Sequence, residues 1–125
     1  MDPVFTDREL DIMNVVWERG SASASEVQQA LADTLAYNTV LTMLRILEDK
    51  GHLRHEEEGR AFRYFPRTAR RTAKKAAVRR LVTKLFENSP ASLVTQLVSD
   101  RSMSADELRA LQALLEQRLN EENAK

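Results

Sequence analysis

The most informative segment of the chain is residues 37–66, which read YNTVLTMLRILEDKGHLRHEEEGRAFRYFP. Residues 37–50 have the apolar spacing of an amphipathic helix, and the glycine that follows ends it. The period then changes to that of β-strands, because two short β-type runs, 53–56 and 61–65, flank a polar turn that contains Gly59. The segment therefore predicts a helix followed by a β-hairpin, which a proline closes.

Two further helices are predicted upstream of this segment, at about residues 7–19 and 24–31. Each opens with a capping box, in which a Ser or Thr side chain and a Glu three residues later bond each other's backbone N–H groups. The two pairs are Thr6 with Glu9 and Ser23 with Glu26. Three helices followed by a hairpin are typical of a winged helix. The predicted fold is mainly α with a β wing: a winged helix-turn-helix DNA-binding domain followed by a helical dimerisation domain.

The third helix has two chemically different faces. A helix turns by about 100° per residue, which groups Val40, Met43, Leu44 and Leu47 on an inward face. The opposite stripe lacks acidic residues until positions 48 and 49, and it consists of Asn38, Thr39, Thr42 and Arg45. In the major groove Asn can bond adenine, Arg can bond guanine and Thr can contact a thymine methyl. These four residues are predicted to contact DNA bases; an ordinary solvated face is the alternative.

The hairpin supplies a second group of candidate DNA contacts. Arg60 lies at its turn and Arg63 on its second strand, where either could reach a phosphate or the minor groove. The neighbouring Glu57 and Glu58 count against this interpretation. A solvated hairpin tip is therefore the alternative.

The charge of the chain is unevenly distributed. The sequence has 19 basic and 19 acidic residues, but residues 66–86 carry eight basic and no acidic side chains. This block belongs to a helix predicted from Thr68 to Glu87, and Arg70 and Arg71 lie on its cationic side. The same side becomes apolar further along the helix. We predict that the first half lies near the DNA backbone and the second half enters a dimer core. A solvated basic surface is the alternative.

The C-terminal half is predicted to form a dimer. Ser89-Pro90 and a capping box from Ser104 to Glu107 each begin a further helix. The leucines of this half exceed what a winged helix needs for its own core, and a second copy is the simplest partner. The predicted dimerisation residues are Leu81, Leu85, Leu93, Leu97, Leu108, Leu111, Leu115 and Leu119. The alternative is that these helices fold back on their own monomer. The predicted domains are residues 1–67 and 68–125.

Composition argues against most enzymes and against membrane insertion. The chain has no cysteine, no phosphate-binding Gly loop and no Ser nucleophile motif. Its two histidines, His52 and His55, have no obvious third metal ligand. No apolar stretch approaches the ~20 residues of a membrane span, and the N-terminus lacks a signal peptide. We therefore expect a cytoplasmic protein that is not an enzyme and that uses no metal and no cofactor.

Four sequence blocks resemble the penicillinase-repressor family of BlaI/MecI-type regulators. The resemblance runs from about Phe5 to Leu119. The blocks read TDRELDIM followed by VW, YNTVLTML, LEDKG and GRAFRY, and they start at residues 6, 37, 47 and 59. The resemblance implies a winged-helix N-terminal domain and a helical C-terminal dimerisation domain. It also implies repression from dyad operators, often those of β-lactam resistance genes. It places the base-reading positions on Asn38, Thr39 and Thr42.

The chain departs from the family pattern at two points. Copper-responsive relatives carry cysteine pairs near the C-terminus, and this chain has none, which argues against a copper sensor. In β-lactam-responsive members a membrane sensor metalloprotease triggers cleavage at an Asn-Phe bond. The matching bond here is Gln96-Leu97, which argues against cleavage by such a partner.

Two other functions compete with DNA-binding repression. A winged-helix protein–protein module would dock the third-helix stripe on another protein, and it would lack the steep salt dependence of phosphate contacts. A small-molecule-responsive regulator would need a ligand pocket, and none can be argued from the sequence.

Overall fold

The computed structural model describes residues 2–32 and 34–125, and within these ranges it has six helices and three strands. In chain order they are α1 (Asp7–Arg19), β1 (Ala22–Ser23), α2 (Ala24–Ala30), α3 (Tyr37–Asp49), β2 (Leu53–Glu58), β3 (Ala61–Pro66), α4 (Arg70–Leu85), α5 (Pro90–Ser99) and α6 (Ala105–Asn123). This architecture confirms the mainly helical fold with a β wing. The short break predicted before α3 includes Asp33, which lies outside the described residues.

The chain divides into two compact units, and the division falls within α4. The first unit ends at Arg79 and the second covers Arg80–Lys125. The functional boundary between residues 67 and 68 stays a prediction. Helix α4 itself begins at Arg70 and ends at Leu85, so it is shorter at both ends than the predicted helix.

The wing is an antiparallel hairpin with a tighter turn than the sequence suggested. Strands β2 and β3 stay paired up to Glu58 opposite Ala61, so only Gly59 and Arg60 form the turn. Gly59 has a φ of +63°, in the left-handed region that favours glycine. The expectation that Glu57 and Glu58 belong to the turn is therefore wrong. Their carboxylates are exposed on β2, so the strand can carry them without burying charge.

The sheet has a third strand that sequence periodicity did not predict. The two residues of β1 pair with β3, Ala22 opposite Tyr64 and Ser23 opposite Arg63, which gives the order β1-β3-β2. Ser23 also caps α2 through a complete capping box with Glu26. One short segment thus fixes both the wing and the start of α2.

The core of the first unit holds α3 by its inward face. Val40, Leu44 and Leu47 are fully buried, and they pack with apolar residues of α1 and with Tyr64 of β3. Met43, also predicted to face inward, is only partly buried against this core. Burying three aliphatic side chains stabilises the fold by roughly 1.5–3 kcal/mol each. The opposite face of α3 is consequently presented on a rigid support.

An ion pair between a buried carboxylate and a half-exposed lysine joins α1 to the end of α3. Glu9 is 4% exposed, and its carboxylate accepts from the Thr6 backbone N–H at 2.8 Å and from Lys50 Nζ at 2.8 Å. Burial raises the pKa of Glu9, but the hydrogen bonds and the positive charge of Lys50 outweigh it, so the pKa lies below its usual value of 4.5. Lys50 is also the C-cap of α3. The pair therefore fixes one end of the helix that carries the polar stripe.

Replacing Lys50 with methionine is expected to lower the free energy of unfolding by about 1–3 kcal/mol at pH 7, because it leaves a buried carboxylate with fewer donors. The natural pair contributes stability that is fully present above the unfolded pKa of Glu9 and is lost as the pH falls through the lower native pKa. The difference between Lys50→Met and the natural chain should therefore shrink from pH 7 to pH 3. Urea unfolding at fixed protein concentration measures both effects.

Lys74→Met is the matched control, because Lys74 is an exposed lysine of α4. It should leave the unfolding free energy within about 0.5 kcal/mol of the natural value. Equal losses in the two variants, or a Lys50→Met loss that does not depend on pH, would contradict the assigned role of the pair.

Hydrogen bonds hold the segment between the wing and α4. Trp17 Nε1 donates to the Thr68 carbonyl at 2.8 Å, and His52 Nδ1 lies 2.8 Å from Thr68 Oγ1. The His52 carbonyl accepts from the backbone N–H groups of Arg67 and Thr68. Burial lowers the pKa of His52. The segment is thus tied to α1 through Trp17 and to the loop before β2 through His52.

The second unit has well-capped helices and very little core. Ser89 caps α5 with Pro90 at its first position, and Ser104 and Glu107 form the predicted capping box of α6. No residue of α5 or α6 is buried, and Leu114, Leu115 and Leu119 are 60%, 51% and 61% exposed. Apolar surface on this scale is typical of an interaction site rather than of a finished monomer.

Candidate nucleic-acid interface

The polar stripe of α3 is exposed along its whole length. Asn38, Thr39, Thr42 and Arg45 all point away from the core, as the helical wheel predicted. The first turn of α3 carries no acidic residue. The stripe therefore offers hydrogen-bonding groups without a carboxylate that would repel phosphates. Base contact by these four side chains stays a prediction.

The wing turn and α3 face a common cleft. Arg45 of α3 and Arg60 of the turn both line a depression of about 220 Å³, together with Ser25 at the start of α2 and Tyr37 at the start of α3. Neither guanidinium forms an ion pair with a described carboxylate. Arg45 belongs to the polar stripe and Arg60 lies across the cleft from it, and two such available cations are suited to contacts with base edges or phosphates.

Arg63 occupies a different environment from Arg60. Its guanidinium pairs with Glu58 across the hairpin at 2.5 Å and with Glu26 of α2 at 3.0 Å. These hydrogen bonds, that with Glu58 first, raise the pKa of Arg63 above its ordinary value. Arg63 thus holds the wing against the capping box of α2. A DNA contact by this residue stays a prediction, and it would have to compete with both pairs.

The two predicted contacts on α4 also differ. The Arg70 guanidinium lies 5.5 Å from the centre of the Trp17 ring and donates to Asn14 of α1 at 3.4 Å. Arg71 is exposed, and it lines an open groove with Lys74 and Lys75. Arg70 therefore has a packing role in the first unit, whereas Arg71 is placed on a cationic surface. Whether that surface approaches DNA stays a prediction.

The predicted dimerisation residues lie on helices with exposed apolar surface. Leu93 and Leu111 are partly exposed, and the others are exposed: Leu81, Leu85, Leu97, Leu108, Leu115 and Leu119. Leu97 and Gln96, the residues of the candidate cleavage bond, lie inside α5, where the backbone is helical. A protease would have to unwind this turn to reach the bond.

Sequence reasoning missed a buried polar group in the cleft. Tyr64 lines the depression beside Arg45 and Arg60, is 1% exposed, and its hydroxyl has no hydrogen-bond partner among the described residues. Burial raises the pKa of Tyr64, and the charge of Glu48 raises it further. Strand alternation could have marked Tyr64 as inward-facing. Nothing in the sequence could have shown that its hydroxyl is unpaired.

Two further features of the molecule bear on alternative functions. In residues 2–32 and 34–125, no three metal-ligating side chains come together in a way that could hold an ion. In the same ranges, no helix combines the length and the apolar character that a membrane span requires.

Comparison with known proteins matches nearly the whole chain. The sequence model of the family described as Penicillinase repressor matches residues 5–117. The chain is 29% identical over 120 residues to the penicillinase repressor of Bacillus licheniformis, with 94% of each chain covered. It is 23% identical over 109 residues to the methicillin resistance regulatory protein MecI of Staphylococcus aureus strain N315, covering 86% of this chain and 89% of that one. The solved DNA-binding domain of the repressor BlaI is 36% identical, with a TM-score of 0.51 over 58% of this chain and 90% of that one.

Proposed function

Because the chain belongs to the penicillinase repressor family, we propose that it is a transcriptional repressor that binds a dyad operator in double-stranded DNA as a homodimer. Two similar proteins are named as a penicillinase repressor and a methicillin resistance regulator. Genes of β-lactam resistance or another stress response are accordingly the expected targets. A repressor acts where the chromosome is, so cytoplasmic placement is part of the proposal.

The observation that carries this proposal is the exposed stripe of α3. Asn38 and Arg45 are two turns apart, and the three fully buried side chains on the other face hold their helix rigidly. The major groove admits a helix, and it displays the donors and acceptors that Asn and Arg can bond in pairs. A rigid helix with these residues outward and no leading carboxylate is suited to base readout.

The homodimer rests on the apolar surface of the second unit. Exposed leucines recur along α6 at positions 108, 115 and 119, so they form one side of the helix. Two-fold dimers dominate soluble oligomers, and a dimer would present two copies of α3 to two half-sites. A sensor protease as a further partner is implied by the family resemblance alone, and Gln96-Leu97 in place of the Asn-Phe bond argues against cleavage by it.

Fluorescence anisotropy with the DNA upstream of its own gene tests the proposal. The natural chain should bind this duplex at least a thousandfold more tightly than a shuffled duplex of equal length. Raising the salt from 50 to 200 mM should weaken binding steeply, because phosphate contacts release counterions. Equal affinity for the two duplexes would refute specific repression, and a salt-independent signal would favour a protein–protein module.

Arg60→Ala is expected to weaken binding to specific and shuffled DNA alike, by roughly threefold to tenfold at 150 mM salt. The reason is that a guanidinium at the wing turn can contact phosphate but carries no base information there. The slope of log K against log salt should fall in magnitude by about 1 for each contact removed.

Arg54→Ala is the control for this experiment. Its guanidinium is already paired with Glu56 at 2.9 Å and stacked on the Phe65 ring at 4.4 Å. The Arg54→Ala substitution should leave the slope of log K against log salt unchanged. An Arg60→Ala slope that equals the natural one would remove Arg60 from the interface.

A further inference from the structure

We propose that the cleft between α2, α3 and the wing binds a small aromatic carboxylate, and that this ligand and operator DNA exclude each other. The cleft is the 220 Å³ depression described above. The binding half of this inference is independent of the proposed function, whereas the exclusion half rests on it.

The polar groups of the cleft are suited to an anion. Arg45 and Arg60 both line it and are unpaired with described carboxylates, and the buried Tyr64 hydroxyl has no partner among the same described residues. A buried hydroxyl without a hydrogen bond is costly, so an acceptor that reached it would gain more than on an exposed surface. A carboxylate oxygen supplies such an acceptor and also bonds guanidinium groups strongly.

Nearby protein carboxylates are already engaged elsewhere. Glu48, whose charge acts on the Tyr64 phenol, is paired with His55 Nδ1 at 2.6 Å. Glu58 and Glu26 are both paired with Arg63. No carboxylate of the described residues lines the cleft itself. An added anion can therefore complete the site without displacing any of these carboxylates from its partner.

The other walls of the cleft are apolar and indicate a ring. Phe62, Leu41 and the Tyr37 ring line it, and Phe62 is held in place by stacking on the His55 ring at 4.2 Å between centres. A volume of about 220 Å³ is below the ~300–1,000 Å³ of drug-sized pockets, which limits a ligand to on the order of ten non-hydrogen atoms. Benzoate has the required charge, ring and size.

A free ligand fits these features better than a backbone phosphate does. Tyr64 lines the cleft but its hydroxyl has almost no accessible surface, so a small movement of the Tyr64 ring must accompany the bond to a carboxylate. A duplex phosphate carries bulky sugars on both sides and has no apolar part for the Phe62 and Leu41 walls. DNA would instead use the outer cations Arg45 and Arg60, and sharing these two side chains makes the two ligands competitors.

The test is an NMR titration of the ¹⁵N-labelled full chain with sodium benzoate at constant ionic strength. We expect saturable shifts at cleft residues with a dissociation constant of about 0.1–5 mM. Benzamide, which has the same shape without the charge, and inorganic phosphate, which has charge without the ring, should each bind at least tenfold more weakly. No saturable shift with benzoate up to 20 mM, or equal binding of benzamide, would overturn the proposal.

Two variants separate the site from a general surface effect. Tyr64→Phe removes only the unpaired hydroxyl, so the fold should be retained with an unchanged or higher melting temperature, while benzoate affinity falls about tenfold or more. Arg54→Ala removes a wing guanidinium that does not line the cleft, and it should bind benzoate as the natural chain does. Equal affinity of Tyr64→Phe and the natural chain would exclude the hydroxyl from the site.

Competition with DNA is measured separately by anisotropy. Benzoate at ten times its dissociation constant should weaken operator binding by about tenfold for each cleft, and therefore by about a hundredfold for a dimer with two clefts. The same concentration of benzamide should weaken operator binding by about fourfold or less. Benzoate binding together with unchanged DNA affinity would overturn the exclusion half. Benzoate binding in a chain that binds no DNA would refute the proposed function and leave the binding site intact.

Discussion

A Leu115→Glu variant is expected to be monomeric at micromolar concentration and to bind the operator at least a hundredfold more weakly than the natural chain. Leu115 is 51% exposed on α6, between Leu111 and Leu119 on one side of the helix. A glutamate there would have to lose its hydration inside an apolar interface, which is unfavourable. Joining two DNA-binding units raises affinity by about 10²–10⁴ through effective concentration, and a monomer forfeits this gain.

Gln117→Glu is the matched control, since it adds the same charge to an exposed position on the opposite side of α6. It should sediment as a dimer and keep natural operator affinity. Sedimentation equilibrium gives the mass of both variants and anisotropy gives their affinity. A dimeric Leu115→Glu protein would place the dimer interface elsewhere. A monomeric natural chain would refute the dimer altogether.

The double substitution of Asn38 and Arg45 by alanine is expected to lower operator affinity by at least a hundredfold and to abolish most discrimination against shuffled DNA. Each bidentate side chain–base pair contributes about 1–3 kcal/mol of discrimination, and the two residues lie two turns apart on the exposed stripe. The core residues under α3 are unchanged, so the melting temperature should stay near the natural value.

Arg8→Ala serves as the control for this double variant. It removes an exposed guanidinium from α1, where Arg8 is paired with Asp11 at 3.6 Å. Its specificity ratio should equal that of the natural chain. If the double variant discriminates operator from shuffled DNA as well as Arg8→Ala does, the stripe of α3 does not read bases.

Rules that use only neighbouring residues predicted most of the fold, because short sequence segments specify where its helices begin and end. The capping boxes at Thr6, Ser23 and Ser104 and the left-handed Gly20 after α1 mark helix ends that depend on neighbouring residues only. The inward face of α3 followed from its period. The family resemblance is confirmed by the match over residues 5–117. The mainly helical winged fold is confirmed as well.

What sequence reasoning missed depends on contacts between distant segments. Strand β1 has two residues and exists only because Ala22 and Ser23 reach β3, some 40 positions later. Arg60 and Arg63 are the same residue type on the same hairpin, yet among the described carboxylates Arg63 is paired with two and Arg60 with none. Periodicity contains neither kind of information, because it describes one element at a time.

The candidate site could be predicted only in part, because sequence periodicity describes one element at a time. The stripe of α3 lies on a single helix, so its members could be grouped from spacing alone. The cleft brings together three elements, and the unpaired hydroxyl of Tyr64 at its wall becomes visible only when those elements are assembled. Sequence spacing identified the exposed residues of a single helix, but it did not identify the cleft, which is formed by several elements.

Glu9 accepts hydrogen bonds from both Thr6 and Lys50, and this restricts which substitutions the protein can accumulate during evolution. An ordinary ion pair tolerates exchange of its partners, with lysine and glutamate trading places. Here the exchange fails, because a lysine at position 9 would offer donors to the Thr6 N–H, itself a donor. Substitution at position 50 can therefore preserve the pair only by keeping a cation there, while position 9 must remain an acceptor. During evolution, the charged partner at position 50 can be exchanged for another cation, whereas position 9 cannot take a cation.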